Sequence, residues 1–227
     1  MTWGEAHGEA LGAVIDGCPA GVPLSPDIIK RVLMEDVPDA GIGTARDEAN
    51  DVEILSGVFE GKTLGTPISL VIRNTDMCSD GYLERRHRPR PGHGDLTYRL
   101  RYEHVDWRGG GRASGRECIA RLAASAVARE ILSACGVSLS SRIIELAGLP
   151  VDSGASMATA RERALEIQAL GDSSGGLVRV DVSGVPAGVG APVFCKLEAE
   201  LASAVMGIGG VRSFSIGVGV EAARMTG

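Results

Sequence analysis

The chain is 227 residues long, with 44% hydrophobic residues, 23% charged residues and a formal net charge of −6. This is the composition of a folded protein that can bury a sizeable core. Aromatic residues make up only 4%, and an acidic chain with few aromatic rings argues against a nucleic-acid-binding protein. The N-terminal residues do not resemble a signal peptide, and no apolar stretch reaches the roughly 20 residues of a membrane helix. Its five cysteines are scattered, without a CxxC pair, so we expect reduced thiols and a cytoplasmic location.

The first predicted element in chain order is a strand-loop-helix unit at residues 14–34. An apolar strand, the motif G-x-P-A-G-V and an amphipathic helix follow one another there, and the same order recurs at residues 180–206. At equivalent points of the two copies, proline fixes φ and glycine permits a tight reversal. The recurrence predicts an internally duplicated fold.

Between the two copies, the spacing of apolar residues predicts further strands and helices. The predicted strands are Val52–Phe59, Pro67–Arg73, Ser138–Leu146 and Leu177–Ser183, and the predicted helices are Ala113–Ala134 and Ala158–Leu170. The segment before the first of these helices is rich in arginine, histidine, glycine and proline and is predicted to be mostly irregular. We therefore expect an α+β fold in which helices pack against antiparallel sheets.

The segment Arg85–Arg121 concentrates positive charge in an acidic chain. It holds three of the four histidines and ten of the 23 Lys+Arg residues, all ten of them arginine. A guanidinium presents a planar fork that can bind phosphate or carboxylate through two hydrogen bonds. The glycines Gly109–Gly111 precede the predicted helix, where backbone N–H groups are available to an anion. This pattern predicts a site for a small phosphorylated molecule.

Three arginines around these glycines recur every four residues: Arg108, Arg112 and Arg116. If the helix begins near the glycines, they form one stacked cationic edge, which requires an anion to neutralise it. Glu117 can serve only one of them well. A tight connection without a ligand is the alternative interpretation of the glycine run.

Two histidines stand in glycine-flanked turns. His7 lies in GEAHG, and His93 lies in RPGHGD between Arg90 and Asp95. Glycine neighbours leave the imidazole accessible, and a histidine can donate a proton to a leaving phosphate near neutral pH. A structural or merely exposed histidine is the alternative for each. The other two, His87 and His104, lack this context and are predicted to lie at the surface, and no spacing of ligands suits a metal.

Five motifs, found in order along nearly the whole chain, resemble those of chorismate synthase. They read GEAHGEALGAVIDGCPAGVPL, VEILSGVFEGKTLGTPISLVIRNTD, RPGHGDLTY, DWRGGGRASGRE, and GDSSGG followed by SGVPAGVGAPVFCKLEAELASAVMGI. The resemblance implies an α+β fold, a β-α-β sandwich with internally duplicated strand-loop-helix units, as a single domain over residues 1–227. It also implies a cytoplasmic homotetramer of the shikimate pathway, which leads to the aromatic amino acids.

The activity that the resemblance implies is that of a lyase. The family reaction is the 1,4-anti elimination of phosphate from 5-enolpyruvylshikimate 3-phosphate to give chorismate, and it needs reduced FMN without net redox change. By motif, His7 and His93 resemble the two catalytic proton donors. Arg90 resembles a substrate-binding arginine, as does Arg112. The residues that resemble flavin contacts are Arg112, Ala113, Ser114, Gly209 and Gly210.

The chain also departs from the family pattern. Family members usually continue further, so the resemblance implies that this chain lacks the C-terminal part and is a poor or inactive synthase on its own. The opening strand is short, the serine of the family's G-E-S-H-G motif is Ala6, and Gly209-Gly210 stands where the family has Asn-Ala. Where the family has a substrate-binding arginine, this chain has Glu35 and Asp36, which is a reversal of charge at an anion site.

Three functions therefore remain open at this point. The chain is an active family member, a degenerate paralogue with a binding or assembly role, or a lyase acting on a different phosphorylated substrate. The acidic pair Glu35 and Asp36 favours the second and third, while the retained histidines and arginines favour the first.

Overall fold

The computed structural model describes residues 1–35, 50–75 and 80–227, in which helices and strands alternate along the chain. The strands are β1 (Thr2–Gly4), β2 (Ala10–Ile15), β3 (Val52–Ser56), β4 (Val58–Phe59), β5 (Lys62–Thr63), β6 (Ile68–Arg73), β7 (Ser138–Leu146), β8 (Leu149–Pro150) and β9 (Gly176–Ser183). The α-helices are α1 (Pro26–Met34), α2 (Asp95–Tyr102), α3 (Cys118–Ala134), α4 (Gly154–Ala169) and α5 (Leu197–Met206). The α+β class predicted from the sequence is confirmed.

The described residues fall into two compact units. The first comprises residues 1–33, 50–75, 80–127 and 186–227, and the second comprises residues 34–35 and 128–185. All the predicted histidine, arginine and glycine site residues belong to the first unit. The prediction of one domain over residues 1–227 is not tested by this division and stays a prediction.

The first unit is organised around a four-stranded antiparallel sheet in the order β1-β2-β6-β3, with β4 and β5 forming a separate hairpin. Apolar residues of β2 and β6 face the core, and Leu11 lies opposite Ile72 in the register. The largest side chains that are fully buried come from the sheet, α1, α3 and the loop before α1: Leu11, Leu24, Ile29, Leu33, Ile68, Leu70, Ile72 and Val127. This core fixes the ends of β1, β2 and β6, from which the loops of the candidate site emerge.

The second unit has a three-stranded antiparallel sheet in the order β8-β7-β9, and α4 packs against β7 and β8. Helix α4 begins earlier than the predicted Ala158 because Ser153 caps it. The Ser153 hydroxyl accepts a hydrogen bond from the Ser156 backbone N–H, and the Ser156 hydroxyl accepts one from the Ser153 backbone N–H, which forms a capping box.

Both copies of the repeat have the predicted order of strand, loop and helix, β2 before α1 and β9 before α5. The glycines of the shared motif also adopt the same backbone conformation. Gly17 and Gly184 have φ of 76° and 77°, and Gly21 and Gly188 have φ of 87° and 94°. Since non-glycine residues rarely adopt these angles, the motif encodes the same loop conformation twice.

Other predicted elements differ from the structure at particular residues. The strand predicted at Val52–Phe59 is divided at Gly57, which has φ of 83° and separates β3 from β4. The segment predicted to be irregular contains α2, a helix with no buried residue. None of the described helices combines the length and apolarity needed to cross a membrane.

Candidate active site

The centre of the candidate site is a turn of three consecutive glycines within the 3₁₀ segment Arg108–Ala113. Gly109, Gly110 and Gly111 have φ of 58°, 85° and 54°, and all three are buried. Residues with a Cβ rarely adopt such angles, so the turn depends on the glycine run. Helix α3 begins only at Cys118, after the predicted start at Ala113. The expectation of an α-helical edge carrying Arg108, Arg112 and Arg116 is therefore wrong.

His7 meets this turn at Gly109. The residues Glu5–Gly8 form a tight turn between β1 and β2, closed by a hydrogen bond from the Gly8 backbone N–H to the Glu5 carbonyl at 3.0 Å. A Cβ on Gly109 would overlap the His7 ring and lie 2.6 Å from its Nε2. The Tyr82 ring approaches the His7 ring edge-on, with centroids 5.2 Å apart. The His7 imidazole thus packs against the Gly109 backbone on one side and the Tyr82 ring on another.

Arg90 and His93 meet the same turn at the next residue, Gly110. A Cβ on Gly110 would lie 2.7 Å from the Arg90 Nη2 and 3.1 Å from the His93 Cε1. The structure therefore brings His7, Arg90 and His93 to two adjacent glycines. Their grouping matches the sequence-based expectation of two accessible histidines beside an arginine.

Asp95 holds both Arg90 and His93 in place. Its Oδ2 accepts from the Arg90 Nε at 2.8 Å, its Oδ1 accepts from the Arg90 Nη2 at 3.1 Å, and its Oδ1 lies 2.8 Å from the His93 Nδ1. Hydrogen bonds from Arg90 lower the pKa of Asp95 to about 2, against the opposing effect of burial. With Nδ1 donating to the carboxylate, the Cε1–Nε2 edge of His93 faces Gly110. Asp95 was noted in the sequence only as a neighbour, and its orienting role comes from the structure.

Arg112 is anchored on a different set of atoms. Its Nη1 donates to the Gly4 carbonyl at 3.0 Å, and its Nη2 donates to the Thr2 hydroxyl at 2.8 Å and to the Glu117 Oε1 at 3.2 Å. A guanidinium has more N–H donors than these contacts use, so the group is oriented and still able to bind an anion. Its placement beside β1 explains why the first residues of the chain matter to the site.

Glu117 is buried and binds two arginines. Besides Arg112, it accepts from the Arg121 Nε at 3.2 Å and from the Arg121 Nη2 at 2.9 Å. Of the three arginines grouped in the sequence, the described contacts pair Glu117 with Arg112 alone, as expected, and its second partner Arg121 lies outside that group. Arg121 also donates from Nη1 to the Gly207 carbonyl at 2.8 Å, which connects this cluster to the end of α5.

The other arginines of the predicted edge also have protein partners. The Arg108 Nη2 donates to the Asp106 Oδ2 at 2.7 Å, and this hydrogen bonding lowers the pKa of Asp106 despite its partial burial. The charge of His7 lowers the pKa of Asp106 further, which places that carboxylate within electrostatic reach of His7. Arg116 donates from Nη1 to the Asn50 Oδ1 at 2.6 Å. Arg108, Arg112 and Arg116 thus each bind a different protein acceptor, and they do not form one stacked edge.

The remaining predicted residues lie around the turn or follow α5. A Cβ on Gly94 would be 2.9 Å from the Ala113 Cβ, so Ala113 abuts the loop that carries His93. The Ser114 hydroxyl accepts from the Arg116 backbone N–H at 3.3 Å. Gly209 and Gly210 are exposed and come directly after the segment that Arg121 holds at Gly207.

Two acidic residues, Glu35 and Asp36, depart from the family pattern. Glu35 lies in the second unit, is exposed, and forms an ion pair with Arg129 at 2.7 Å. Asp36 lies outside the described residues. His87 and His104 are exposed, as the sequence predicts. Among the described residues, no group of three His, Cys or acidic side chains is placed to hold a metal ion.

Comparison with known proteins shows the family and the fold to which this chain is similar. The profile of the family described as chorismate synthase matches residues 1–227. The chorismate synthase of Syntrophobacter fumaroxidans is 51% identical, over 100% of this chain and 69% of the relative. That of Methanosarcina mazei is 46% identical, over 100% of this chain and 67% of the relative. A crystal structure of a chorismate synthase superposes with a TM-score of 0.83 at 30% identity, over 100% of this chain and 70% of the other.

Proposed function

This chain belongs to the chorismate synthase family, a family of lyases, and from that premise we propose its specific reaction. The reaction is the 1,4-anti elimination of phosphate from 5-enolpyruvylshikimate 3-phosphate, giving chorismate, with reduced FMN as the cofactor. One observation carries the proposal: His7 on one side, and Arg90 with His93 on the other, meet adjacent glycines of one turn.

The residues present fit an anionic substrate and cofactor. The backbone at Gly109 and Gly110 is bare, and any side chain there would collide with His7 or with Arg90. A flat or charged molecule can approach such a backbone more closely than one that carries side chains. Arg90 supplies a fixed positive charge, because the bidentate contact with Asp95 holds its guanidinium in one orientation.

In this proposal, Arg90 and Arg112 bind the substrate. Each guanidinium is oriented by protein acceptors before the ligand arrives, so little side-chain entropy is lost on binding. A 5-enolpyruvylshikimate 3-phosphate molecule carries two carboxylates and a phosphate, which are groups that arginine binds with paired hydrogen bonds.

Reduced FMN, when bound, would supply the electron-rich ring that the family reaction requires without net redox change. Its proposed contacts are Arg112, Ala113, Ser114, Gly209 and Gly210. Two observations support this set. Ala113 abuts the His93 loop at Gly94, and Arg121 connects the Glu117–Arg112 cluster with the segment that leads to Gly209.

His7 and His93 are the proposed proton donors, one toward the leaving phosphate and one toward the cofactor. When the C–O bond to phosphate breaks, the departing oxygen carries the bonding electron pair, and a proton from an imidazolium stabilises it. The Asp95 carboxylate at the Nδ1 of His93 fixes the orientation of the ring. Positioned acid catalysis of this kind contributes about 10²–10⁴ to a rate.

We also propose that the chain assembles as a homotetramer in the cytoplasm, with residues 1–227 acting as one family domain. The sheet of the second unit supports assembly, because one face of it carries paired apolar residues that are open to solvent. Leu139 lies opposite Val182, and Ile143 lies opposite Val178. A contiguous apolar surface of this kind is typical of a subunit contact. Sedimentation equilibrium tests the assembly directly.

The test of the reaction is an anaerobic incubation of the chain with reduced FMN and 5-enolpyruvylshikimate 3-phosphate. Chorismate is followed by its absorbance and identified by mass. Chorismate above the level of a protein-free blank supports the proposal, and its absence with saturating substrate and cofactor contradicts it.

A further inference from the structure

The residue that follows β6, Asn74, lies beneath the turn that carries His7. It is buried, with 5% of its surface exposed. Its Nδ2 donates to the carbonyls of Glu5 at 3.2 Å, Ala6 at 3.2 Å and Gly8 at 2.8 Å. These three carbonyls lie before and after His7 in the sequence. One amide group therefore forms hydrogen bonds with the backbone on both sides of His7.

The orientation of the Asn74 amide is set from its other end. Its Oδ1 accepts from the Arg116 Nε at 3.4 Å, and the Arg116 Nη1 in turn donates to the Asn50 Oδ1 at 2.6 Å. Because guanidinium is only a donor, it requires the carbonyl oxygen of Asn74 on its side and leaves the NH₂ group facing the turn. The amide therefore has one satisfactory orientation.

The same turn is attached to the glycine run on its opposite side. The Ala6 backbone N–H donates to the Gly111 carbonyl at 3.3 Å, and His7 lies against Gly109. The turn is thus held between Asn74 and the glycines. A shift of the turn would carry the His7 ring away from the position that it shares with Arg90 and His93.

We propose that Asn74 is a positioning residue for His7: its side-chain amide holds the three turn carbonyls that place the imidazole against Gly109. The catalytic part of this inference rests on the proposed function of His7, whereas the positioning itself does not. The side chain must present N–H donors, since a carboxylate at the same place would put oxygen against three carbonyl oxygens.

Asn74→Asp is the most direct test, because it keeps the size and shape of the side chain and removes the donors. Asn50→Asp is the matched control, since Asn50 is the only other asparagine of the sequence and contacts the same arginine without touching the turn. Hydrogen exchange of the Ala6 and Gly8 backbone amides reports on the turn, as both are hydrogen-bonded there.

We expect these two amides to exchange at least about tenfold faster in Asn74→Asp than in the wild type, with the amides of α3 unchanged. Asn50→Asp should leave Ala6 and Gly8 within about twofold of the wild type. If Asn74→Asp does not fold, Asn74→Ala, which removes the donors without adding a charge, should show the same local pattern. Unchanged exchange at Ala6 and Gly8, or equal acceleration in α3, overturns the proposal.

Turnover gives the second measurement. We expect Asn74→Asp to lower kcat at least about tenfold with KM within about twofold, because the variant misplaces a proton donor and leaves Arg90 intact. If KM rises while kcat stays unchanged, Asn74 is not a positioning residue for His7. The exchange comparison needs no turnover, so a failure of the proposed reaction would show in the wild-type assay and leave the positioning result standing.

Discussion

His7 and His93, far apart in the sequence, meet adjacent residues of a single glycine turn. The His7 ring lies against Gly109, and the Cε1–Nε2 edge of His93 lies against Gly110. The turn therefore presents the bare backbone of two consecutive glycines to the two imidazoles. Consequences for binding, stability and catalysis follow from this arrangement.

The first prediction concerns the turn itself. Gly110→Ala should weaken the binding of inorganic phosphate by at least about tenfold, because the new Cβ would lie 2.7 Å from the Arg90 Nη2 and displace that guanidinium. Isothermal titration calorimetry measures the change. The control is Gly61→Ala, since Gly61 also has a positive φ, of 74°, but faces open space. Both variants carry backbone strain of about 1 kcal/mol, and only the first should lose phosphate binding. Equal phosphate affinity in the two would contradict this account of the turn.

A second prediction concerns the guanidinium of Arg90. Arg90→Ala should weaken phosphate binding at least about tenfold, since a charge-assisted contact contributes about 1.5–3 kcal/mol. Arg163→Ala is the control, because Arg163 is exposed and pairs only with Glu166 on the surface of α4 among its described contacts. Calorimetric titration with phosphate should separate the two variants. If Arg90→Ala binds phosphate as the wild type does, the anion site lies elsewhere.

The third prediction concerns pH. The pKa of Asp95 is lowered from 3.8 to about 2 in the folded chain, mainly by hydrogen bonds from Arg90. A lowered folded-state pKa stabilises the fold above the ordinary pKa, and that contribution is lost as the pH falls from about 4 to about 2. The free energy of unfolding should therefore drop by on the order of 2 kcal/mol from this group across that interval.

Urea denaturation at several pH values between 5 and 2 measures this drop. Asp95→Asn should remove this part of the acid sensitivity, while Asp172→Asn, at an exposed loop position, should retain it. An identical pH dependence in the wild type and in Asp95→Asn would show that the Arg90–Asp95 contact does not stabilise the fold.

The fourth prediction concerns the buried carboxylate of Glu117. Glu117→Gln removes the charge that Arg112 and Arg121 share, so it should lower the free energy of unfolding by about 1–3 kcal/mol. Glu166→Gln makes the same chemical change in an exposed ion pair, where the expected loss is below about 1 kcal/mol. Chemical denaturation of both variants provides the comparison. If Glu117→Gln lowers the free energy of unfolding no more than Glu166→Gln does, the contacts of Glu117 with Arg112 and Arg121 do not stabilise the fold.

Much of the fold could be predicted from the sequence because apolar periodicity reflects burial directly. The strand predicted at Pro67–Arg73 is β6 (Ile68–Arg73), in which Ile68, Leu70 and Ile72 are fully buried, and both copies of the G-x-P-A-G-V motif lie between a strand and a helix. Helix α2 could not be found in this way, because none of its residues is buried and its Leu100 is 75% exposed. A helix without a buried face leaves no apolar stripe in the sequence.

In the candidate site too, some residues could be predicted from the sequence and others could not. His7 and His93 were identified because glycine neighbours indicate an accessible imidazole. Arg90 was identified because it lies in a cluster of arginines, which indicates concentrated positive charge. Asp95 and Asn74 were not identified as partners, and neither was the contact of Glu117 with Arg121, since a hydrogen-bond partner depends on which loops the fold brings together. The helix predicted at Ala113–Ala134 is present as α3, but it begins only at Cys118, because the conformation of the consecutive glycines before it depends on their neighbours in space.

The central claim is that His7 and His93 are the two proton donors of a phosphate elimination, one toward the leaving phosphate and one toward the cofactor. The most direct measurement is the rate of chorismate formation from 5-enolpyruvylshikimate 3-phosphate with reduced FMN, for the wild type, His7→Ala, His93→Ala and the exposed control His87→Ala. The account predicts rates at least about 10² lower for His7→Ala and for His93→Ala, and an unchanged rate for His87→Ala. Chorismate formation at the wild-type rate by either His7→Ala or His93→Ala would contradict it.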